Sequence, residues 1–150
     1  MTAIELRSPA FGDHQPVPRR HTGEGEDLSP PLTWSPPPEG TAELVLLCED
    51  PDAPGASFVH WLVTGIDPSS SGVEEGRTPA GGHEWPNGFG SVGWGGPMPP
   101  PGHGQHRYFF RLWAVPEPPA LHGSPTADAV HRAVNSLKSA EGTLVGTYQR

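Results

Sequence analysis

Residues 48 to 63 read CEDPDAPGASFVHWLV and set Asp50, Asp52 and His60 among residues that otherwise belong to a folded core. Charge is costly to bury unless it is paired or hydrogen-bonded, so two carboxylates and an imidazole here need partners. HGQHRYFFRLWAV (103–115) brings His106 and Tyr108 to the head of another apolar run. A carboxylate beside an imidazole favours imidazolium. Two such imidazoles, the Tyr108 hydroxyl and the amides of the glycine-rich segment 93–96 would offer a phosphate several donors. A leftover carboxylate would take an ammonium group, so the set suits a phosphoethanolamine-like group. The competing reading is a structural network in which Asp50 caps its own turn. Spacing alone does not separate the two.

Other chemistries fit less well. His60, His106 and Asp50 would make an N₂O metal site, with His83, His103 and Glu84 in nearby loops. That set would support a metal-assisted hydrolase, but no tight pair such as H-E-x-x-H occurs. GFGSVG (88–93) matches a dinucleotide fingerprint in letters, yet WGGPMPPPG follows it and no helix can start there. The nucleophile-elbow pattern is missing, because Phe89 stands where a glycine would precede Ser91. Cys48, the sole cysteine, sits in LVLLCE and reads as a small buried hydrophobe. Asp50 and Asp52 lie two apart in a proline-bounded turn, a poor way to flank a sugar. The expectation is a non-enzymatic binding protein without a cofactor.

The elements that must position these residues are strands. TAELVLLCE (41–49), FVHWLVTGI (58–66), HRYFFRLWAV (106–115) and GTLVGTY (142–148) are apolar runs of strand length. Alternation puts Phe58, His60 and Leu62 on one face, opposite Val59, Trp61 and Val63. It likewise puts His106, Tyr108, Phe110 and Leu112 opposite Arg107, Phe109, Arg111 and Trp113. Asp50 shares the parity of Leu46 and Cys48. One helix is expected within SPTADAVHRAVNSLKSAEG, where Ala127, Val130, Val134 and Leu137 form a single apolar stripe. Ser124 or Thr126 would cap its start, and Gly142 would mark its stop.

The 150 residues include 21 Pro and 20 Gly, which favours many short strands in a single domain over 1–150. A net charge of −8 with no basic cluster beyond Arg19-Arg20 argues against nucleic acid. The apolar runs are too short to cross a bilayer, so no transmembrane segment is expected. MTAIELRSPAFGD lacks the basic and apolar regions of a secretory signal, and a cytoplasmic location is the expectation.

DPDAP, the His-Trp of the next strand, and GGPMPPPGHGQHRYFF together resemble the phosphatidylethanolamine-binding protein family, more narrowly its bacterial Raf-kinase-inhibitor-like branch. DLSPPLTWSPPPEGT (27–41) and GTLVGTYQR are similar to that family's N- and C-terminal motifs. The resemblance implies an all-β fold, a Greek-key β-sandwich of two antiparallel sheets with one C-terminal helix and an anion pocket at one end. Residue by residue, it implies a ligand site of Asp50, Asp52, Phe58, His60, Gly96, Pro99, Pro100, His106 and Tyr108, with a cis peptide at Ala53–Pro54. Asp27, Met98 and Trp94 depart from the family's commoner Asn, Cys and Tyr, and Trp94 is expected at the pocket rim. The expected ligand is small and anionic or zwitterionic. A protein partner, a kinase- or protease-inhibiting surface and a homodimer stay open.

Overall fold

ELVLLCED and HRYFFRLWAV carry apolar residues on both alternating sets, and such strands need cover on both faces. The computed structural model describes residues 2–150 and supplies both covers. In chain order the strands are β1 (Thr2–Ala3), β2 (Leu6–Arg7), β3 (Gln15–Pro16), β4 (Leu32–Trp34), β5 (Glu43–Asp50) and β6 (Phe58–Ile66). They continue with β7 (Gly72–Val73), β8 (His83–Glu84), β9 (His106–Val115) and β10 (Ala140–Tyr148); the helix α1 (Ala127–Asn135) precedes β10. One sheet runs β1-β10-β9-β5-β6-β8 with β3 also on β10, and a smaller one runs β2-β4-β7.

The small sheet and the β10-β9-β5-β6-β8 ladder are antiparallel as expected, but β1 and β3 run parallel to β10. The larger sheet is therefore mixed. β1 and β3 line one edge of β10, at Ala140–Glu141 and Gly146–Thr147, and the excursion through β2 into the second sheet lies between them.

The inner face of the large sheet packs Leu44, Leu46, Cys48, Tyr108, Phe110 and Leu112 against Leu6, Leu32 and Trp34 of the small sheet. Its outer face packs Val45, Leu47, Trp113 and Val115 against Ala127, Val130 and Val134 of α1. Thr126 caps the helix by accepting from the Ala129 amide. The helix stops at Asn135, and Gly142 instead lies inside β10. A Cβ on Gly142 would fall 2.4 Å from the Ile4 carbonyl oxygen, so its role is close approach of the N-terminal strand.

β9 keeps the expected alternation and β6 does not. Glu49 pairs with Val59 and Cys48 with Trp61, so His60 is an extra residue, a β-bulge. Beyond it the parity flips: Trp61 and Val63 enter the inter-sheet core, while Leu62 joins Val59 under the helix. Phe58, His60 and Leu62 therefore do not share a face. The expected cis peptide is also not observed, since every peptide among the described residues is trans. The Asp50–Ala53 turn closes through its own hydrogen bonds, Asp52 N–H to Asp50 Oδ1 and Ala53 N–H to the Asp50 carbonyl.

On the helix side, Glu49 is buried and fully partnered. Its oxygens accept from Ser57 Oγ (2.7 Å), Arg111 Nε (2.9 Å) and His131 Nε2 (2.6 Å). Burial alone would raise the carboxyl pKa, but the bonds from His131, Ser57 and Arg111 outweigh it and bring it down to about 2. Through His131 this carboxylate fastens α1 to the sheet. A folded-state pKa below the ordinary 4.5 contributes stability above that value and loses it as pH falls towards about 2. Glu49→Gln is expected to cost ~2–3 kcal/mol near neutrality, below the full penalty of a broken buried pair because Arg111 and His131 can reach water. Urea unfolding near pH 7 and near pH 3 measures it; a gap that fails to narrow at the lower pH counts against the tie.

Candidate functional site

At the exit of β5 each Asp50 oxygen has its own task. Oδ1 caps the turn through the Asp52 amide (2.7 Å), and Oδ2 meets His106 Nδ1 at 2.6 Å. Both side chains are almost wholly buried, at 4% and 3% exposure. Turn cap and imidazole partner, the two readings that spacing left open, coexist in one carboxylate. Asp52 points elsewhere and grips the next residue of β9, accepting from Arg107 N, Nε and NH2 at 2.8–2.9 Å. Arg107 holds the Asp52 carboxyl below the usual range.

The bulge aims His60 off the β5 ladder. Its carbonyl accepts from Gly95 N, and its Nδ1 lies 2.6 Å from the Gly95 carbonyl oxygen. A carbonyl only accepts, so Nδ1 carries the hydrogen and the neutral ring keeps a lone pair on Nε2. Burial lowers the His60 pKa from 6.5, against the opposing pull of the Gly95 bond and the Asp50 and Asp27 charges. Tyr108 stands edge-on to His60 with centroids 5.1 Å apart, and its buried hydroxyl has no protein partner. Burial, then the charge of Asp50, raises the Tyr108 pKa far above its ordinary value, so the hydroxyl keeps its proton.

These groups line a cavity of about 170 Å³. Asp50, Phe58, His60, Pro99, Pro100, His106 and Tyr108, all named from the sequence, share its wall. Asp52 and Gly96 do not. The Gly93, Gly95 and Gly96 amides are already committed to the Trp85 carbonyl, the His60 carbonyl and Asp27 Oδ1, so that loop offers the cavity no glycine donor. Asp27 reaches Gly96 from a left-handed backbone, φ 58°, which Asp tolerates better than most residues.

Trp94 is not at the rim. It stacks on Phe110 (5.9 Å) and meets Trp61 edge-on (5.5 Å), inside the packing between the sheets. Sequence reasoning missed Ala53, Pro54, Phe89 and Met98 on the wall. Phe89 packs its edge on Phe58 at 4.7 Å. Among the described residues, Phe89, Val92 and Met98 are the exposed large hydrophobics, and two of these three form the mouth. Large apolar residues in glycine- and proline-rich loops were the available signal.

A metal reading loses its ligands. No group of three His, Cys, Asp or Glu side chains able to hold an ion occurs among the described residues. Glu84 is occupied by Trp61 Nε1 and Thr78 Oγ1, and His83 packs on Trp85. Burial raises the Cys48 thiol well above its ordinary pKa, with Glu49 and Asp50 adding to it, so it is no nucleophile.

Residues 7–149 match the sequence model described as phosphatidylethanolamine-binding protein. LppC of Mycobacterium tuberculosis, whose name marks it as a candidate lipoprotein, is 44% identical over 150 residues, covering 97% of this chain and 72% of its own length. A UPF0098 protein of Methanothermobacter thermautotrophicus is 39% identical over 152 residues, covering 98% of this chain and 99% of its own. The crystal structure of E. coli YbcL, described as a member of the mammalian family, superposes with a TM-score of 0.88 at 28% identity over 98% of each chain. CT736 of Chlamydia trachomatis gives a TM-score of 0.87 at 30% identity, over 100% of this chain and 99% of that one.

The buried, Gly95-bonded imidazole generates a pH prediction. His60 should titrate below 6.5, because burial dominates. The unfolded chain then binds the proton first, so acidification through that window removes stability. Proton NMR of the His60 C2–H reads it directly; a midpoint at or above 6.5 contradicts the buried, neutral ring.

Proposed function

The chain belongs to the phosphatidylethanolamine-binding protein family, and from that premise we propose that its pocket receives a phosphate-bearing or similarly small anionic or zwitterionic headgroup, by binding and without a chemical step. The observation that carries the reading is Tyr108, a residue of the cavity wall whose buried hydroxyl has no protein partner. An orphaned buried hydroxyl costs free energy that an incoming acceptor recovers.

The protonation states set the kind of ligand. Near neutral pH, Tyr108 presents a donor, whereas His60 presents the lone pair of Nε2. A fully deprotonated anion would meet that lone pair with its own. A phosphate monoester that keeps one hydroxyl can donate to His60 and accept from Tyr108, and its second pKa is about 6. Alternatively the protein takes up the proton, and His60 becomes a donor. Both routes couple anion binding to a proton. The cavity, about 170 Å³ and walled largely by Phe58, Phe89, Met98, Pro99 and Pro100, fits a headgroup in scale. Metal-assisted hydrolysis, the other reading of the same residues, has no ligand grouping in its favour.

Calorimetry with inorganic phosphate and with phosphoethanolamine tests the proposal. Affinity is expected to rise from about pH 8 to about pH 5, across the range where imidazoles gain charge. Tyr108→Phe should weaken binding about tenfold or more, the worth of one hydrogen bond to a charged group, ~1.5–3 kcal/mol. Affinities that ignore both pH and the hydroxyl would sink it.

A further inference from the structure

His103, which neither the cavity wall nor the carried-over site residues include, holds the key atom of the pocket. Its Nδ1 lies 2.6 Å from His106 Nε2, and the two rings sit 4.8 Å apart at 57°. Since His106 Nδ1 is spent on Asp50, Nε2 is the one ring atom through which His106 can meet a guest. In this structure His103 occupies it. His103 itself is exposed, between Gly102 (φ 74°) and Gly104 (φ 87°), where a Cβ would meet nothing within 4 Å. Its backbone is pinned, with His103 N–H bonded to the Pro100 carbonyl and Gly102 N–H to the Arg150 carbonyl. Arg150 Nε also holds the Pro99 carbonyl at 2.7 Å. The ring can therefore turn away into open space while the wall prolines stay in place.

Resting on the anion-pocket reading above, we propose that His103 is a proton-operated latch that masks His106 Nε2 in the empty pocket and releases it for an anionic guest. Its logic is that of any N–H···N bond: one nitrogen must keep a lone pair. With both rings neutral, Asp50 holds the hydrogen of His106 on Nδ1, so Nε2 accepts from His103 Nδ1–H. One added proton still leaves a single hydrogen between the two nitrogens, and the latch stays closed. A second proton puts N–H against N–H on two like-charged rings. The bond is lost, His103 swings out, and His106 Nε2–H is free to donate to phosphate. Hydrogen atoms and charge balance with protons from solvent alone.

The groups facing the pair shape this response. Asp50 faces His106 from β5, with Oδ2 2.6 Å from Nδ1. Asp52 lies two residues further on, paired with Arg107. His60 faces from β6 across the cavity, beside Tyr108. From β10, Tyr148 is the register partner of His106, and its hydroxyl is bound to Glu24. Arg150 holds the segment through the Pro99 carbonyl and the Gly102 amide.

The test uses the full chain and His103→Ala, with inorganic phosphate as probe. At about pH 8 the variant should bind phosphate roughly five- to tenfold tighter than wild type. At about pH 5, below the ordinary imidazole range, the two should agree within about twofold. In the ligand-free protein, long-range ¹H–¹⁵N spectra should show the His106 Nε2 signal displaced by the substitution at about pH 8 and unmoved at about pH 5. Equal or weaker phosphate binding by His103→Ala at pH 8 overturns the latch and leaves the anion pocket standing. If neither protein binds phosphate at any pH, the pocket reading falls, and the spectra still decide the latch. A His106 signal indifferent to residue 103 at both pH values ends it.

Discussion

Much of this structure turns on one buried carboxylate. Asp50 sits at the last inward position of β5, where water cannot solvate it, and it survives there because both oxygens are engaged. Removing one partner from such a pair typically costs ~3–5 kcal/mol, so the geometry it imposes is stiff. One oxygen fixes the DPDAP turn and the other fixes the His106 ring. The turn in turn throws Asp52 forward, and its carboxylate takes Arg107 by backbone and guanidinium together. Two aspartates two residues apart thus grip two consecutive residues of β9, binding the mouth of the cavity to the strand that floors it.

The fold was legible where residue type and period agree. β6 and β9 occupy the residues expected of them, 58–66 and 106–115, and β9 alternates through its whole length. The bulge at His60 was not legible, and the reason is physical. β6 is buried on both faces, between the small sheet and α1, so a parity flip swaps one apolar neighbour for another. Trp61 and Leu62 are equally at home on either side, and the letters keep no trace of the shift. The N-terminal strands were hidden for a different reason. β1, β2 and β3 are two residues each, too short for any periodicity, and they exist because β10 and β4 offer edges to pair with.

The site divides in the same way. Side chains on strands could be placed from sequence, since a pleat and a register fix where they point. Groups on loops could not. The glycine-rich segment 93–96 offered amides to an anion by composition, yet its glycine amides are consumed by Trp85, His60 and Asp27. Phe89, hidden inside a decoy dinucleotide pattern, packs on Phe58 and closes the wall. His103 looked like a stray loop histidine or a metal ligand, and only coordinates show it sitting on His106.

On the reading of an anion pocket, the wall also explains why the guest must be lightly charged. The cavity is lined mostly by aromatic and proline carbon, and the chain around it carries a net charge of −8. Moving a dianion out of water into such a place forfeits hydration that one tyrosine hydroxyl and a neutral imidazole cannot replace. A monoanion asks for less, and each proton taken up by an imidazole converts an acceptor into a donor while adding a positive charge. Asp50 is what makes that conversion local, since its fixed negative charge lies 2.6 Å from the His106 ring and also acts on His60. The carboxylate that stiffens the turn therefore also sets the electrostatic terms on which the pocket can be filled.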